Sequence, residues 1–461
     1  MSNKHGMLLS TAVILIAAVA VIVTGVFFLT DRQMTTSLDH ASGEEALYYA
    51  EAGINQYLWF LNEDPNFYIT PEGISMTGTN IAFEGGFFRL AIDAPSESQP
   101  KVTIQSTGWT AADPSRQRTV ETLASKRSFV QTVFLSDMEL TTHNEKNYWF
   151  TGDIVNGPLH TNGTLNIWGS PIFNFPVTYS GSPVNNQYAI LPAYNGGGPD
   201  YVTPLLFPPT NADLKKWAES DTYYGRNYVY SGQTSILLDG AYVWIRNGIT
   251  PATRRNLPKN GVIFVEGSYT NKWGTWSSPS TAGNAFVSGT IDGRLTIAAT
   301  NDIYITGRDP TNADFDNATV TGGVKYANPT VSGTNPTDDM LGLVANNYVR
   351  ILHNGWFDSN PTTRDVAPFD IAIHAAVFAT TWAFEYEDYS QGDQKGSINL
   401  VGSITQKYRG AEGMIYSSSF HTGYNNNYWH DPRMAYLSPP HFLEPLNAGW
   451  VLTGWREIAN P

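Results

Sequence analysis

The chain has 461 residues, enough for two or three domains, and its 41 acidic against 27 basic residues give a formal net charge of −14. That balance argues against nucleic acid as a partner, and the absence of cysteine excludes disulfides and thiolate metal sites. Charged residues make up only 15%, while 41 Gly, 13 Trp and 25 Tyr are present; disorder would need fewer aromatics and more charge, so a large β-rich folded region is expected.

In residues 1–6, Lys4 is the one firm positive charge. An uncharged apolar run follows from Met7 to Thr30 and is closed by Asp31-Arg32. At about 24 residues it measures roughly 36 Å as a helix, which spans a hydrocarbon core of about 30 Å with some tilt. Lys4 favours a cytoplasmic leader, with the bulk of the chain outside the cytoplasmic membrane. A secretory signal peptide would have a shorter run with a small-x-small site after it, whereas Ala17-Ala18-Val19-Ala20 lies inside this one. A plain signal anchor is the other alternative. Beyond the run, Ala46, Leu47, Ala50, Ile54, Tyr57, Leu58 and Leu61 recur at three- and four-residue spacing, which is one face of a helix. Gly43 and Gly53 weaken it by about 1 kcal/mol each. No proline interrupts it before Pro65, so one helix is predicted over 7–62.

A short basic leader ending at Gly6, followed directly by an apolar helix, resembles a type IV prepilin. Residues 46–55, Ala-Leu-Tyr-Tyr-Ala-Glu-Ala-Gly-Ile-Asn, resemble the AxxxAEAGI helix of large minor pilins of the PilX and K-pseudopilin kind. The resemblance implies cleavage between Gly6 and Met7 by a prepilin peptidase and methylation of the new amine. It implies that the helix first sits in membrane lipid and then packs against other pilins, with Ile14, Val21 and Phe28 among the packing residues. Most major pilins carry Glu at the fifth mature position, where this chain has Thr11. That departure resembles the K-type minor pseudopilin and implies a tip or initiating position; otherwise Thr11 is a tolerated small residue in an anchor.

Residues 66–135 are predicted as a small antiparallel sheet covering the apolar side of 46–61. Its strands are expected at 85–92, 101–106, 117–123 and 128–135, with a turn at 93–97. From 136 to 461 short β segments alternate with Gly/Asn/Asp/Pro turns, at 164–167, 261–267, 293–299, 301–307, 341–345, 371–379 and 397–406. Their loose repetition suits a parallel β-helix, with a β-sandwich as the alternative. The fold class expected is α+β: a leader (1–6), a helix (7–62), a sheet region (66–135) and a large β domain (136–461). The strings at 262–267, 293–305 and 341–345, with 402–404, Arg409-Gly410, Tyr428, Asp431, Arg433 and Pro439-Pro440, resemble an uncharacterised domain found behind pilin-like N-termini in bacteria. That resemblance implies location and architecture and no known activity.

Motifs for chemistry are sparse: GxSxG, HExxH and phosphate-cradling glycine loops are absent. Glu385, Glu387 and Asp388 share one short run, where Glu385 and Glu387 point to the same side of a strand and read as a solvated face. Asp309, Asn312, Asp314 and Asp316 place oxygens at near-alternate positions as calcium loops do, without the glycine or closing glutamate. His421, His430, Asp431 and His441 would need to converge to hold zinc. Trp273, Trp276, Tyr424, Tyr428 and Trp429 lie in turn-rich stretches, where rings either stack on sugars or cap the core. The function expected is that of a structural, non-enzymatic pilin-like subunit without cofactor, displaying its β domain at the cell surface for adhesion, secretion or assembly priming. Its expected partners are other pilins, prepilin peptidase, membrane lipid and a carbohydrate or other surface ligand. The alternatives are a tethered β-helix that binds or acts on carbohydrate, and a plain anchored surface protein.

Overall fold

The computed structural model describes residues 4–64, 67–94, 101–182, 184–187, 191–248, 250–269, 281–312, 314–328, 339–353, 365–415, 420–435 and 437–459. The chain divides into two units, one made of 1–126 with 449–461, the other of 127–448.

The first unit is built on one α-helix, Lys4–Glu63, of 60 residues, about 90 Å long. The predicted span of 7–62 lies inside it. Every residue from 12 to 38 is exposed. Within this bare stretch the hydroxyls of Thr24 and Thr30 donate to the carbonyls of Ala20 (2.7 Å) and Val26 (2.8 Å), so they satisfy themselves inside the helix. Burial begins on one face, where Ala46, Ala50, Ile54, Tyr57 and Leu61 are at most 2% exposed. The last four pack on Phe88, Leu90, Val102, Ile104, Val120, Ala124 and Trp450.

The sheet that receives them runs antiparallel in chain order through Asn80–Phe83, Gly86–Asp93, Val102–Thr110 and Arg118–Lys126. Glu84 and Gly85 close the first hairpin with φ of 44° and 99°, the paired positive values of a primed turn. A fifth strand, Trp450–Ile458, comes from the far end of the chain and pairs antiparallel with Arg118–Lys126, from Trp450 beside Lys126 to Ile458 beside Thr119. The Asn62 side-chain oxygen (Oδ1) accepts from the Trp450 backbone amide at 2.8 Å, tying the helix end to this strand. The unit boundaries therefore fall at 126/127 and 448/449 rather than at 135/136. The strand expected over 128–135 is a 3-10 turn, Phe129–Gln131, capped by Ser128, followed by Phe134–Met138 in the second unit. Of the turn expected at 93–97, residues 95–97 lie outside the described residues.

Among its described residues the second unit holds a 23-stranded sheet and a three-stranded one. One series of parallel partners runs Val262–Glu266, Arg294–Ala299, Met340–Ala345, Ile371–Ala379 and Gln394–Tyr408. It continues into the unit's first strand, Phe134–Met138, and on through Leu159–Thr161, Val177–Tyr179 and Asp200–Tyr201. The chain thus enters the sheet mid-series, and Gln394–Tyr408 returns to pair with the unit's first strand, Ile404 beside Phe134. Met340–Ala345 is buried at all six positions, as parallel strands covered on both faces are. Antiparallel pairing joins Thr234–Gly240, Tyr242–Asn247 and Thr253–Asn256, and Gly413–Ile415 with Phe420–His430.

Candidate functional site

The feature that sets this chain apart chemically is the bare half of its helix. It is long and apolar enough to cross a membrane, and its most apolar stretch is entirely unburied. Ile14, Val21 and Phe28 are 69%, 72% and 70% exposed, and their seven-residue spacing puts them on one stripe. Gly6, Met7 and Thr11 lie in the helical backbone.

The docked half owes its seating to small residues. A Cβ built on Gly108 of the sheet would stand 2.3 Å from both the Ala46 carbonyl oxygen and the Ala50 amide nitrogen. One on Gly53 of the helix would meet the Ser106 hydroxyl at 2.4 Å and the Phe88 ring at 2.7 Å. One on Gly86 would strike the Tyr49 ring at 2.3 Å. Helix and sheet backbones therefore touch through Ala46, Ala50 and Gly108, and Gly53 is a contact surface rather than merely a weak point in the helix. The motif at 46–54 signals one side of this seam. Gly108 carries no comparable local signal.

In the second unit the acidic run is not a solvated face. Glu385 and Glu387 are 4% and 2% exposed, which corrects that expectation. They point to the same side, but the outward direction is itself covered. Arg350, in register between Tyr304 and Glu385, donates to Glu385 at 2.7 Å and to Asp302 at 3.1 Å, with all three groups buried. Glu387 accepts from the His353 amide at 3.1 Å. Burial pushes the Glu385 carboxyl up to about 7 against the pull of Arg350 and raises Asp302 as well. A second buried carboxyl, Glu412, is also pushed up to about 7 by burial; it accepts from the Tyr428 hydroxyl at 3.1 Å. These are interior ion pairs and hydrogen bonds holding strands in register.

The other candidates disperse. The Asp309 carboxylate accepts from the Thr311 amide and hydroxyl, Asn312 from the Asp314 amide, and Asp314 from Asn317. Each folds back on its own turn, and Asp316 lies in the 3-10 turn Phe315–Asn317. His430 meets the Val130 carbonyl, Asp431 binds Arg433, and His441 stacks on Trp217 at 3.9 Å. Among the described residues no group of three or more His, Asp or Glu is placed to hold a metal. Tyr424 and Tyr428 are 2% and 1% exposed and belong to the core, where their hydroxyls find partners; they are not available to a ligand. Trp429 is exposed. Trp273 and Trp276 lie outside the described residues.

A family model described as a domain of unknown function (DUF4900) matches residues 99–182. No curated protein matches the chain. Among solved structures, the crystal structure of the competence-associated pilin ComZ from Thermus thermophilus aligns over 90% of this chain and 98% of its own, with 10% identity and a TM-score of 0.30.

Proposed function

We propose that the chain is a structural, non-enzymatic minor-pilin-like subunit of a type IV filament system. The observation that carries this is the single continuous helix, bare and apolar over its first half and seated backbone to backbone on a sheet over its second. An anchor alone needs about 20 apolar residues. A helix that continues unbroken into a folded unit suits a subunit drawn out of the membrane as a rigid whole and bundled with other pilins. Bare apolar surface of this extent has to be covered, by lipid before extraction and by neighbouring helices after it. Ile14, Val21 and Phe28 supply the packing stripe.

In this reading a prepilin peptidase cuts between Gly6 and Met7, the new amine is methylated, and the bulk of the chain lies outside the cytoplasmic membrane. Thr11 withholds the membrane-buried carboxylate that would pair with a neighbour's amine, which fits a tip or initiating position. The second unit is the displayed part. We read its parallel series as the faces of a parallel β-helix, since sandwiches are built from antiparallel sheets. Its roles are adhesion, secretion or priming of assembly.

The Gly6→Val variant is expected to stay uncut and confined to the membrane, with the peptide beginning at Met7 absent from mass spectra of the cell envelope. Normal entry of that variant into filaments would refute the assignment.

A further inference from the structure

One face of the second unit carries a row of outward asparagines beside an exposed tryptophan. In Phe420–His430, Tyr428 points into the core, so Asn427 and Trp429 point out. The same alternation turns Asn156, Asn174 and Asn195 outward, because Val155 and Phe173 are core residues and Tyr194 packs against that core. The parallel register sets Trp429 beside Asn156 and Asn427 beside Asn399. Asn174 donates its amide to the Asn156 oxygen at 2.8 Å, and Asn195 donates to Asn174 at 2.7 Å. Asn427 donates to Asn399 at 2.8 Å and accepts from the Trp429 indole N–H at 2.9 Å. The indole is 47% exposed, yet this bond holds its plane.

We propose that this face binds a linear neutral polysaccharide laid across the strands. The Trp429 ring is a fixed stacking platform for the apolar face of a sugar. Asn174, Asn195 and Asn427 each spend one of two amide N–H donors on a neighbour and keep the other for a ligand, while Asn156 and Asn399 accept. Along Asn156, Asn174 and Asn195 the amides repeat at the strand spacing of about 4.8 Å, as the hydroxyls of an unbranched chain repeat along it. None of the six residues is charged, so the face selects against ionic ligands. An apolar protein surface would bury the free amide valences without partners, which favours a hydroxyl-rich occupant. The inference goes beyond the filament reading and does not depend on it.

The test is calorimetric titration of the full-length chain, in a detergent without sugar headgroups, with cellohexaose and with chitohexaose. Saturable binding of at least one probe is expected. Trp429→Ala should weaken it at least tenfold and Asn174→Leu several-fold, while Trp429→Tyr keeps most of it. Melting temperatures taken alongside show whether a variant still folds; Trp429→Tyr and Asn174→Gln serve where the harsher changes do not. Absence of binding to both hexasaccharides at millimolar concentration overturns the proposal, as does binding that Trp429→Ala leaves intact. Sedimentation that shows self-association abolished by Trp429→Ala also overturns it, by making the face a contact between copies.

Discussion

Gly108→Val destabilises the helix–sheet unit by about 3 kcal/mol, the upper end of what overpacking costs. The new side chain has nowhere to go. Its first carbon alone falls 2.3 Å from two backbone atoms of the helix, at Ala46 and Ala50. Neither is the tip of a flexible side chain, so the helix must lift from the sheet. The apolar contacts of Ile54, Tyr57 and Leu61 then loosen together. Hydrogen exchange should show the effect directly, as faster exchange of the amides over 46–61, with the second unit unchanged. Gly25→Val is the matched control: nothing stands within 4 Å of a Cβ there, and its exchange pattern should match the parent chain.

Arg350→Met destabilises the second unit by roughly 3–5 kcal/mol, the usual consequence of stripping a buried carboxylate of its partner. Asp302 and Glu385 both lean on this one guanidinium, and neither reaches water. Two buried carboxyls contribute a pH dependence whose sign follows from their shifts. Glu385 and Glu412 have carboxyls raised from 4.5 to about 7, so between those values the folded chain binds protons that the unfolded chain has released. Their contribution to stability therefore falls as pH rises through that window, on the order of 3 kcal/mol per group when fully developed. Chemical denaturation at pH 5 and pH 8 reads this contribution as the difference between the parent chain and Glu412→Gln, because burial lowers the pKa values of His160, His374 and His430 and they act with the opposite sign. Glu412→Gln should flatten the slope, because the amide keeps a hydrogen-bond acceptor for Tyr428 and has no proton to lose.

Local pattern made part of this architecture legible. The helix announces itself through an apolar run and then a three-and-four spacing that the buried residues Ala46, Ala50, Ile54, Tyr57 and Leu61 match. The strands at 262–266, 294–299 and 340–345 are short apolar runs between turns, and they form where the pattern puts them. What stayed hidden depends on residues far apart in the chain. Residues 450–458 fall inside the large domain expected over 136–461 until their partner, Arg118–Lys126, is known. Glu385 reads as solvated until Arg350 and Asp302 stand beside it. Tyr428 and Trp429 are neighbours in sequence, and only the register tells that one ring is interior and the other is not. The asparagines at 156, 174 and 195 are ordinary turn-forming residues in sequence; the stacking of their strands makes them a ladder.

In the filament reading the bare helix is an assembly surface. The chain has no cysteine of its own, so a single Val21→Cys substitution reports on that stripe without background. Oxidative or short-arm cross-linking in cells, against pilin partners carrying a cysteine in their own apolar helices, is the direct measurement. The account predicts cross-linked species in the sheared filament fraction. A chain that stays in the membrane fraction, gives no pilin cross-link and keeps an uncut N-terminus would contradict it.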